Sequence, residues 1–452
     1  MSMRLRGTLL GILLVGISSA WPGAGVGQEV VCGPGGMTLR GWEERARIII
    51  LDREGSFDGR FSSRGVLQRF HPLMDAEYQL DVISSSFPMD EECAWYRADS
   101  GARFWAGSID HLRLIQVGQI KARVPLGGTW AVRVEHLHEE TLRARRNLLR
   151  LGFERDLAGG AGRVFLAGTP IAIKPEADIE LGASWFLGEG EVTVALGALD
   201  VFSDVVYQVL GVGPALSDSV LDYLARPYTL RAFGELPLHP RLRMEAFGLR
   251  LTSTRVRVEP QGEPWGGFVQ DEGYAYAGGL VEWTPGDRTA LGALATWKRG
   301  RTERAPVEGD GLESTDFLDV VETSRQVGAF FLHDPSPQLR IRGWLSRVME
   351  EEIRESMPMS SSYHKRTLLM RLDFTYRGGS GFHGELGLDG TARSGEGVRP
   401  VPPIQPLLRN DYRLRGDLGW RFGQRALFVL GANLDLDSGG FDGGHGRFAL
   451  SW

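Results

Sequence analysis

From about residue 110 to its end, the chain alternates apolar and polar side chains in segments of roughly ten residues. A period of two is that of a β-strand with two different faces. The clearest example is 367–377, and the same split recurs in the segments that begin at Phe382, Tyr412 and Ala426. In 367–377 one face carries Leu368, Met370, Leu372, Phe374 and Tyr376, and the other carries Arg371, Asp373, Thr375 and Arg377.

The links between these segments differ in length in a regular way. Short links rich in Gly, Pro and Asp alternate with links that are mostly long. The short links are 125–128, 157–162, 188–190, 237–240, 285–287, 334–337, 378–380 and 423–424. The long links include 203–226, 254–271, 301–323, 351–365 and 392–410. Short turns at one end and long loops at the other are typical of an outer-membrane barrel inserted in one direction.

The segment count predicts how such a barrel closes. About seventeen segments follow His111, and an even strand number requires one more strand before them. Ala76–Ser86 is the candidate, and it would run away from the short turns. We therefore predict an all-β fold, a closed transmembrane antiparallel β-barrel of about 18 strands with short periplasmic turns and long extracellular loops. The number falls to 16 if the weak segments near Val164 and Ile179 are not strands.

The N-terminal region divides into three parts. Residues 1–27 have the basic start and short apolar core of a secretory signal, with cleavage after Ala20 or, as we favour, after Gly27. Residues 28–75 lack the alternation and are predicted to be a periplasmic extension or a plug within the lumen. Residues 76–452 are predicted to form the barrel. The two cysteines, Cys32 and Cys93, are expected to form a disulfide in an exported protein.

Composition narrows the functional classes. The 61 glycines suit a protein with many tight turns. The formal net charge of -6 gives no basic footprint for a nucleic-acid partner. Beyond the signal, no run of about 18 apolar residues predicts a membrane-spanning helix.

The last residues of the chain place Phe448, Leu450 and Trp452 on one face of a strand that ends in an aromatic residue. This ending resembles the C-terminal signal of Gram-negative outer-membrane β-barrel proteins, a porin-like superfamily. The resemblance implies an outer-membrane location, contact with outer-membrane lipid and recognition by the barrel-assembly machinery. Phenylalanine is the commoner last residue in that superfamily, so Trp452 is a departure from its pattern.

Charged residues on the late segments are the candidate functional residues. A wall that mixes basic and acidic side chains can orient polar solutes or can be stabilised by cross-strand ion pairs, and the sequence leaves both interpretations open. The candidates for a solute path are Arg340, Arg342, Arg371, Asp373, Arg377, Glu385, Asp389, Arg413, Arg415, Asp417 and Arg421.

These features favour a passive, porin-like channel for small hydrophilic or charged solutes, because a barrel of 16 to 18 strands leaves an aqueous lumen. The alternative is a plugged barrel that acts as a surface receptor, adhesin or polymer anchor. An outer-membrane hydrolase is a third hypothesis, but no nucleophile motif supports it. We expect no enzyme activity, no metal site and no cofactor.

Overall fold

The fold is described from a computed structural model. It describes residues 76–86, 95, 98–109, 113–140, 145–169, 178–188, 190–199, 201, 219–260, 268–306, 318–356, 360–397, 410–423 and 425–452. The strands in these ranges are β1 (Ala76–Ser85), β2 (Gly101–Ile109), β3 (Arg113–Gly127), β4 (Trp130–Glu140), β5 (Arg145–Leu157), β6 (Gly162–Gly168), β7 (Ile179–Leu187), β8 (Gly190–Ala198), β9 (Ser219–Ala225), β10 (Tyr228–His239), β11 (Leu242–Pro260), β12 (Phe268–Gly286), β13 (Thr289–Pro306), β14 (Leu318–Ser336), β15 (Leu339–Ser356), β16 (Ser360–Arg377), β17 (Phe382–Gly397), β18 (Asp411–Phe422), β19 (Ala426–Asp435) and β20 (Phe441–Ser451).

Within the described ranges, nineteen of these strands form one closed ring. Each strand pairs with its neighbours in chain order, except that β8 pairs with β10. The pairs are antiparallel except at the closure, where β1 and β20 run parallel and Ile83 lies opposite Ala449. The parallel pair follows from the odd number, because strands that alternate in direction around an odd ring must bring two of the same direction together.

The predicted strand number was therefore wrong, both as 18 and as 16. The described part of the chain has seventeen ring strands after residue 111, as the pattern indicated, and the weak segments are β6 and β7. The omitted strand is β2, which pairs with β1 on one side and β3 on the other. It is β2 that runs away from the short turns, whereas β1 runs toward them beside β20. The prediction of a fully antiparallel barrel is corrected at this one pair.

Strand β9 lies outside the ring but in line with β10. Both pair with β11, and the register Thr229 to Leu251 continues as Ala225 to Arg255. Pro227 interrupts the line, since it has no N–H to donate to the ladder, and its carbonyl accepts a hydrogen bond from Leu199 N at 3.0 Å. β9 is thus an extension of β10 beyond the end of β8.

One end of the barrel, the turn end, carries the eight predicted short turns. They overlap the eight short links of the sequence, from the link that follows β3 to the link that follows β18. Gly188 and Gly423 have φ of 66° and 63°, in the left-handed region that favours glycine. These turns hold the hairpins in register, as in other barrels.

The other end, the loop end, differs from the prediction. Strands β11 to β17 are 16 to 19 residues long, whereas the other ring strands have 7 to 15 residues. We call β11 to β17 the tall wall and the other ring strands the low wall. Much of the predicted long loops 254–271, 301–323, 351–365 and 392–410 is strand, because hydrogen-bonded pairing continues far toward the loop end.

Candidate functional site

The two faces of the barrel wall have opposite chemistry. Large apolar side chains point outward and are exposed, for example Leu230, Trp283 and Trp420. Charged side chains point inward and are buried, with Glu245 and Asp373 both 0% exposed. A soluble protein shows the reverse arrangement, since it buries apolar side chains and hydrates charged ones. The functional chemistry of this barrel therefore lies on its inner face.

The most densely connected group on the inner face is the Asp373 cluster, which consists of Arg342, Arg371, Asp373, Glu385 and Arg415 on β15 to β18. Alternation along each strand turns these side chains to one side. The Asp373 carboxylate accepts hydrogen bonds from three guanidinium groups: from Arg371 Nε at 2.7 Å, from Arg342 Nη2 at 3.0 Å and from Arg415 Nη2 at 3.0 Å. Arg415 also contacts Glu385. One buried carboxylate thus holds three strands' side chains in place.

Further ion pairs extend this cluster around the late strands. Asp389 lies 3.5 Å from Arg371 Nε, and Asp417 Oδ1 lies 2.7 Å from His445 Nε2. Arg413 Nε lies 2.6 Å from Asp442. The acidic and basic groups are interleaved at contact distance, so each guanidinium is neutralised locally.

A second group, the Glu154 cluster, lies on β3 to β10. The carboxylate of Glu154 lies 2.9 Å from Arg123 Nε and 3.6 Å from Arg133 Nη1. Glu180 accepts from Arg150 at 2.7 Å and from Arg231 at 2.8 Å. A cavity of about 60 Å³ opens among these side chains and is bordered by Phe165 and Phe233. In the order of the ring, β5 with Glu154 lies diametrically opposite β16 with Asp373.

Between the two clusters, the inner face of the tall wall carries a packed apolar group beside buried charged side chains such as Glu245 and Lys298. Leu280, Phe330, Trp344 and Val348 are at most 8% exposed. They form one packed group with Tyr276 and others, and Leu137 of the low wall packs against it. The inner face of the described barrel therefore combines two dense charged clusters with one packed apolar group.

The structure places the predicted residues together. All eleven lie on the inner face of β15 to β18, with Arg377 and Arg421 nearest the turn end and Arg340 paired to Asp334 at 2.9 Å. Their role in a solute path stays a prediction. The Glu154 cluster was missed, although Arg133 and Glu135 on β4 and Arg150 and Glu154 on β5 alternate with apolar residues in the same way.

Other predicted sites have separate outcomes. Phe448, Leu450 and Trp452 share the outer face of β20, next to Phe428 of β19. Their recognition by an assembly machinery stays a prediction. The proposed Cys32 to Cys93 disulfide, the signal 1–27 and the segment 28–75 lie outside the described residues. Among the residues that the structure describes, no group of three or more potential ligands could hold a metal ion.

In the described residues, no helix is long and apolar enough to cross a membrane.

Comparisons with known proteins give little detail. No protein-family model matches the chain, and no curated protein matches it. Among solved structures, the chain resembles OmpT, an outer membrane protein of Vibrio cholerae, at 10% identity and a TM-score of 0.34, over 65% of this chain and 88% of that one. A loop L8 deletion mutant of the same protein matches at 11% identity and a TM-score of 0.32, over 71% and 95% of the two chains. Both of these structures are of outer membrane proteins.

Proposed function

We propose that this protein is an integral outer-membrane barrel whose lumen passes small hydrophilic or charged solutes. The location is supported by the outward apolar surface. A closed ring with that surface is suited to hydrocarbon, which offers no partner to an unpaired strand edge. About ten tilted residues are enough for a strand to cross. Fifteen of the nineteen ring strands have that length or more, and β2, β6, β7 and β8 have 7 to 9 residues.

The observation that carries the channel function is the pair of charged clusters on opposite arcs of the lumen. Glu154 lies three residues before the end of β5 and Asp373 four residues before the end of β16, so both lie within the turn-end part of a strand that would cross the membrane. Fixed guanidinium and carboxylate groups facing each other can replace part of the hydration shell of a charged solute. The proposal assigns no catalytic nucleophile or general base, and therefore no enzyme activity.

Purified full-length protein in a planar lipid bilayer tests this function. We expect discrete conductance steps whose ion selectivity changes when Arg371 is replaced by Gln, since the variant leaves Asp389 and Glu385 less neutralised. An Arg301→Gln variant, changed on the outer face, should keep wild-type selectivity. A folded barrel that conducts no ions would contradict the channel.

A closed, plugged barrel is the second candidate, and one observation favours it. Trp95, just before β2, is 2% exposed, its ring lies 4.7 Å from Lys121 Nζ, and its carbonyl accepts a hydrogen bond from that amine. Lys121 points inward on β3, so a residue outside the strands occupies the lumen at this point. The near-complete burial of Leu280 and Val348 is in keeping with a filled lumen.

A deletion separates the two candidates. It must stop before β1, because β1 closes the ring against β20. Deletion of residues 33–74 should raise conductance sharply if the barrel is plugged. An unchanged conductance would show that residues 33–74 do not plug the lumen and would leave the open channel in place.

A further inference from the structure

A second chemical feature lies on the outer face of the tall wall, away from the lumen. On four neighbouring strands, β13 to β16, the outward apolar run ends in an exposed arginine. The last apolar side chains before these arginines are Trp297, Val327, Leu345 and Leu368. We call the arginines the outer basic patch: Arg299, Arg325, Arg347 and Arg366.

The cross-strand register brings the patch together. Arg325 and Arg366 both lie opposite Met349, one on each side of it. Arg347 lies two residues from Met349 on the same strand and on the same face. With strands about 4.8 Å apart and about 3.3 Å per residue along a strand, the three arginines surround Met349 within roughly 10 Å. Trp297 lies opposite Arg325 on the other side.

The height of the patch matches one membrane boundary. Counted from the turn-end residue of each strand, the four arginines lie eight to eleven residues away. A strand needs about nine to eleven residues to cross the hydrocarbon layer. The patch therefore lies where the hydrocarbon ends and the head groups of the outer leaflet begin, given the orientation of the proposed function.

The charges of the patch lack protein partners. In the part of the chain that the structure describes, none of the four arginines forms an ion pair or hydrogen bond. Farther toward the loop end on the same face, Arg255 and Arg301 are paired to Asp271 and Asp319, each at 2.8 Å. Those carboxylates raise the pKa of both guanidinium groups.

Acidic side chains form no ion pair with the patch in the described residues. Glu351 lies above it and contacts His364 at 3.7 Å, and Glu396 lies beside His364 on β17. Below the patch, the outer face is apolar. An anion would therefore meet the patch from the head-group layer, with Met349 and Trp297 offering apolar contact to its attached chain.

We propose that the outer basic patch binds the phosphate groups of a phosphorylated lipid in the outer leaflet. Arginine is suited to this ligand because its planar guanidinium forms paired hydrogen bonds with phosphate oxygens. Clusters of basic residues at a membrane boundary hold anionic head groups. The proposal rests on the outer-membrane placement but does not depend on conduction.

The test uses full-length protein in detergent, titrated with diphosphoryl lipid A and followed by native mass spectrometry. The variant is the triple substitution Arg325→Gln, Arg347→Gln and Arg366→Gln. The matched control is Arg255→Gln with Arg301→Gln, which removes two exposed arginines from the same face. We expect the triple variant to bind lipid A at least about tenfold more weakly, and the control to bind as the wild type does.

Three results would overturn the proposal. They are equal binding by the triple variant, an equal loss in the control, and full displacement of lipid A by inorganic phosphate at equimolar concentration. Heat-modifiable migration on a gel shows that each variant is folded. Loss of folding in the triple variant alone would also contradict the proposal, because these side chains would then have a structural role. A silent channel that still binds lipid A through the patch would contradict only the proposed channel.

Discussion

The tall wall and the low wall would cross the proposed membrane with strands of different lengths. In the low wall, β6 to β8 have 7 to 9 residues, close to the minimum for a tilted strand. In the tall wall, β11 to β16 have 18 or 19 residues, and the extra residues continue the same ladders beyond the crossing. Only the half of each tall strand nearest the turn end would be needed to cross the membrane. The half nearest the loop end must therefore be stabilised by other interactions.

The interactions in the two halves of the tall wall differ in burial. Near the turn end, the ion-paired side chains are buried, as in the Asp373 cluster, and neighbouring side chains pack closely. Near the loop end, the outer face carries exposed pairs such as Arg301 with Asp319, in which the arginine side chain is 57% exposed. Exposed pairs contribute little to stability. We therefore expect substitutions in the crossing half to have much larger effects than substitutions near the rim.

The largest effect is expected for Asp373→Asn. It leaves the guanidinium groups of Arg342, Arg371 and Arg415 without the carboxylate that they share, and breaking such a buried ion pair costs about 3–5 kcal/mol. The temperature at which the folded band disappears on a gel should fall clearly. Asp319→Asn, near the rim of the same wall, should leave it almost unchanged. Equal shifts for the two variants would break the comparison.

A smaller effect is expected for Gly292→Ala on β13. A Cβ at this position would lie 2.7 Å from the carbonyl oxygen of Val281 and closer still to the ring of Phe330, so the buried ring must move. Such overpacking costs about 1–3 kcal/mol. On the same strand, a Cβ at Gly300 would meet only ordinary contacts, the nearest at 3.8 Å from Tyr274. Denaturant unfolding should therefore show a loss for Gly292→Ala and hardly any for Gly300→Ala.

The smallest effect is expected for shortening the β15 to β16 hairpin. Residues 352–363 can be replaced by Asn-Gly, because Glu351 and His364 lie opposite each other and this dipeptide favours a tight hairpin turn. The barrel should still migrate as a folded species, with a loss of about 1 kcal/mol, since Glu352 is the one buried side chain among the described residues removed and the others are at least partly exposed. Failure to assemble would show that the upper half of the tall wall is needed for folding.

The sequence predicted the positions of strands better than their ends. Alternation over 367–377 placed five apolar residues outward on β16, and turn residues located the eight short turns. The ends at the loop side were missed because Arg255, Asp271, Arg301 and Asp319 have the polar composition of loops. Their pairing across strands depends on register, which composition does not reveal.

The closure was missed for a different reason. The segment Gly101–Ile109 precedes the strongly alternating region, and an even strand number seemed complete without it. Its place depends on pairing with β1 and β3, partners that are not identified by its own pattern.

The candidate residues of β15 to β18 were found because they alternate with large apolar residues. The Glu154 cluster was passed over because its charges are spread over five strands between β3 and β10, and only the pairing of those strands brings them together.

The central claim is a nineteen-stranded ring closed by the parallel pair of β1 and β20. It is tested by a disulfide between Ile83→Cys and Ala449→Cys in a chain whose two native cysteines are replaced by Ser, since paired strands lie within disulfide reach. The control pair is Arg103→Cys with Ala449→Cys, which joins β2 to β20 across β1. In isolated outer membranes, the account predicts that the first pair cross-links and migrates faster on a denaturing gel without reductant, while the control does not. Cross-linking of the control pair alone would contradict it and indicate closure by β2.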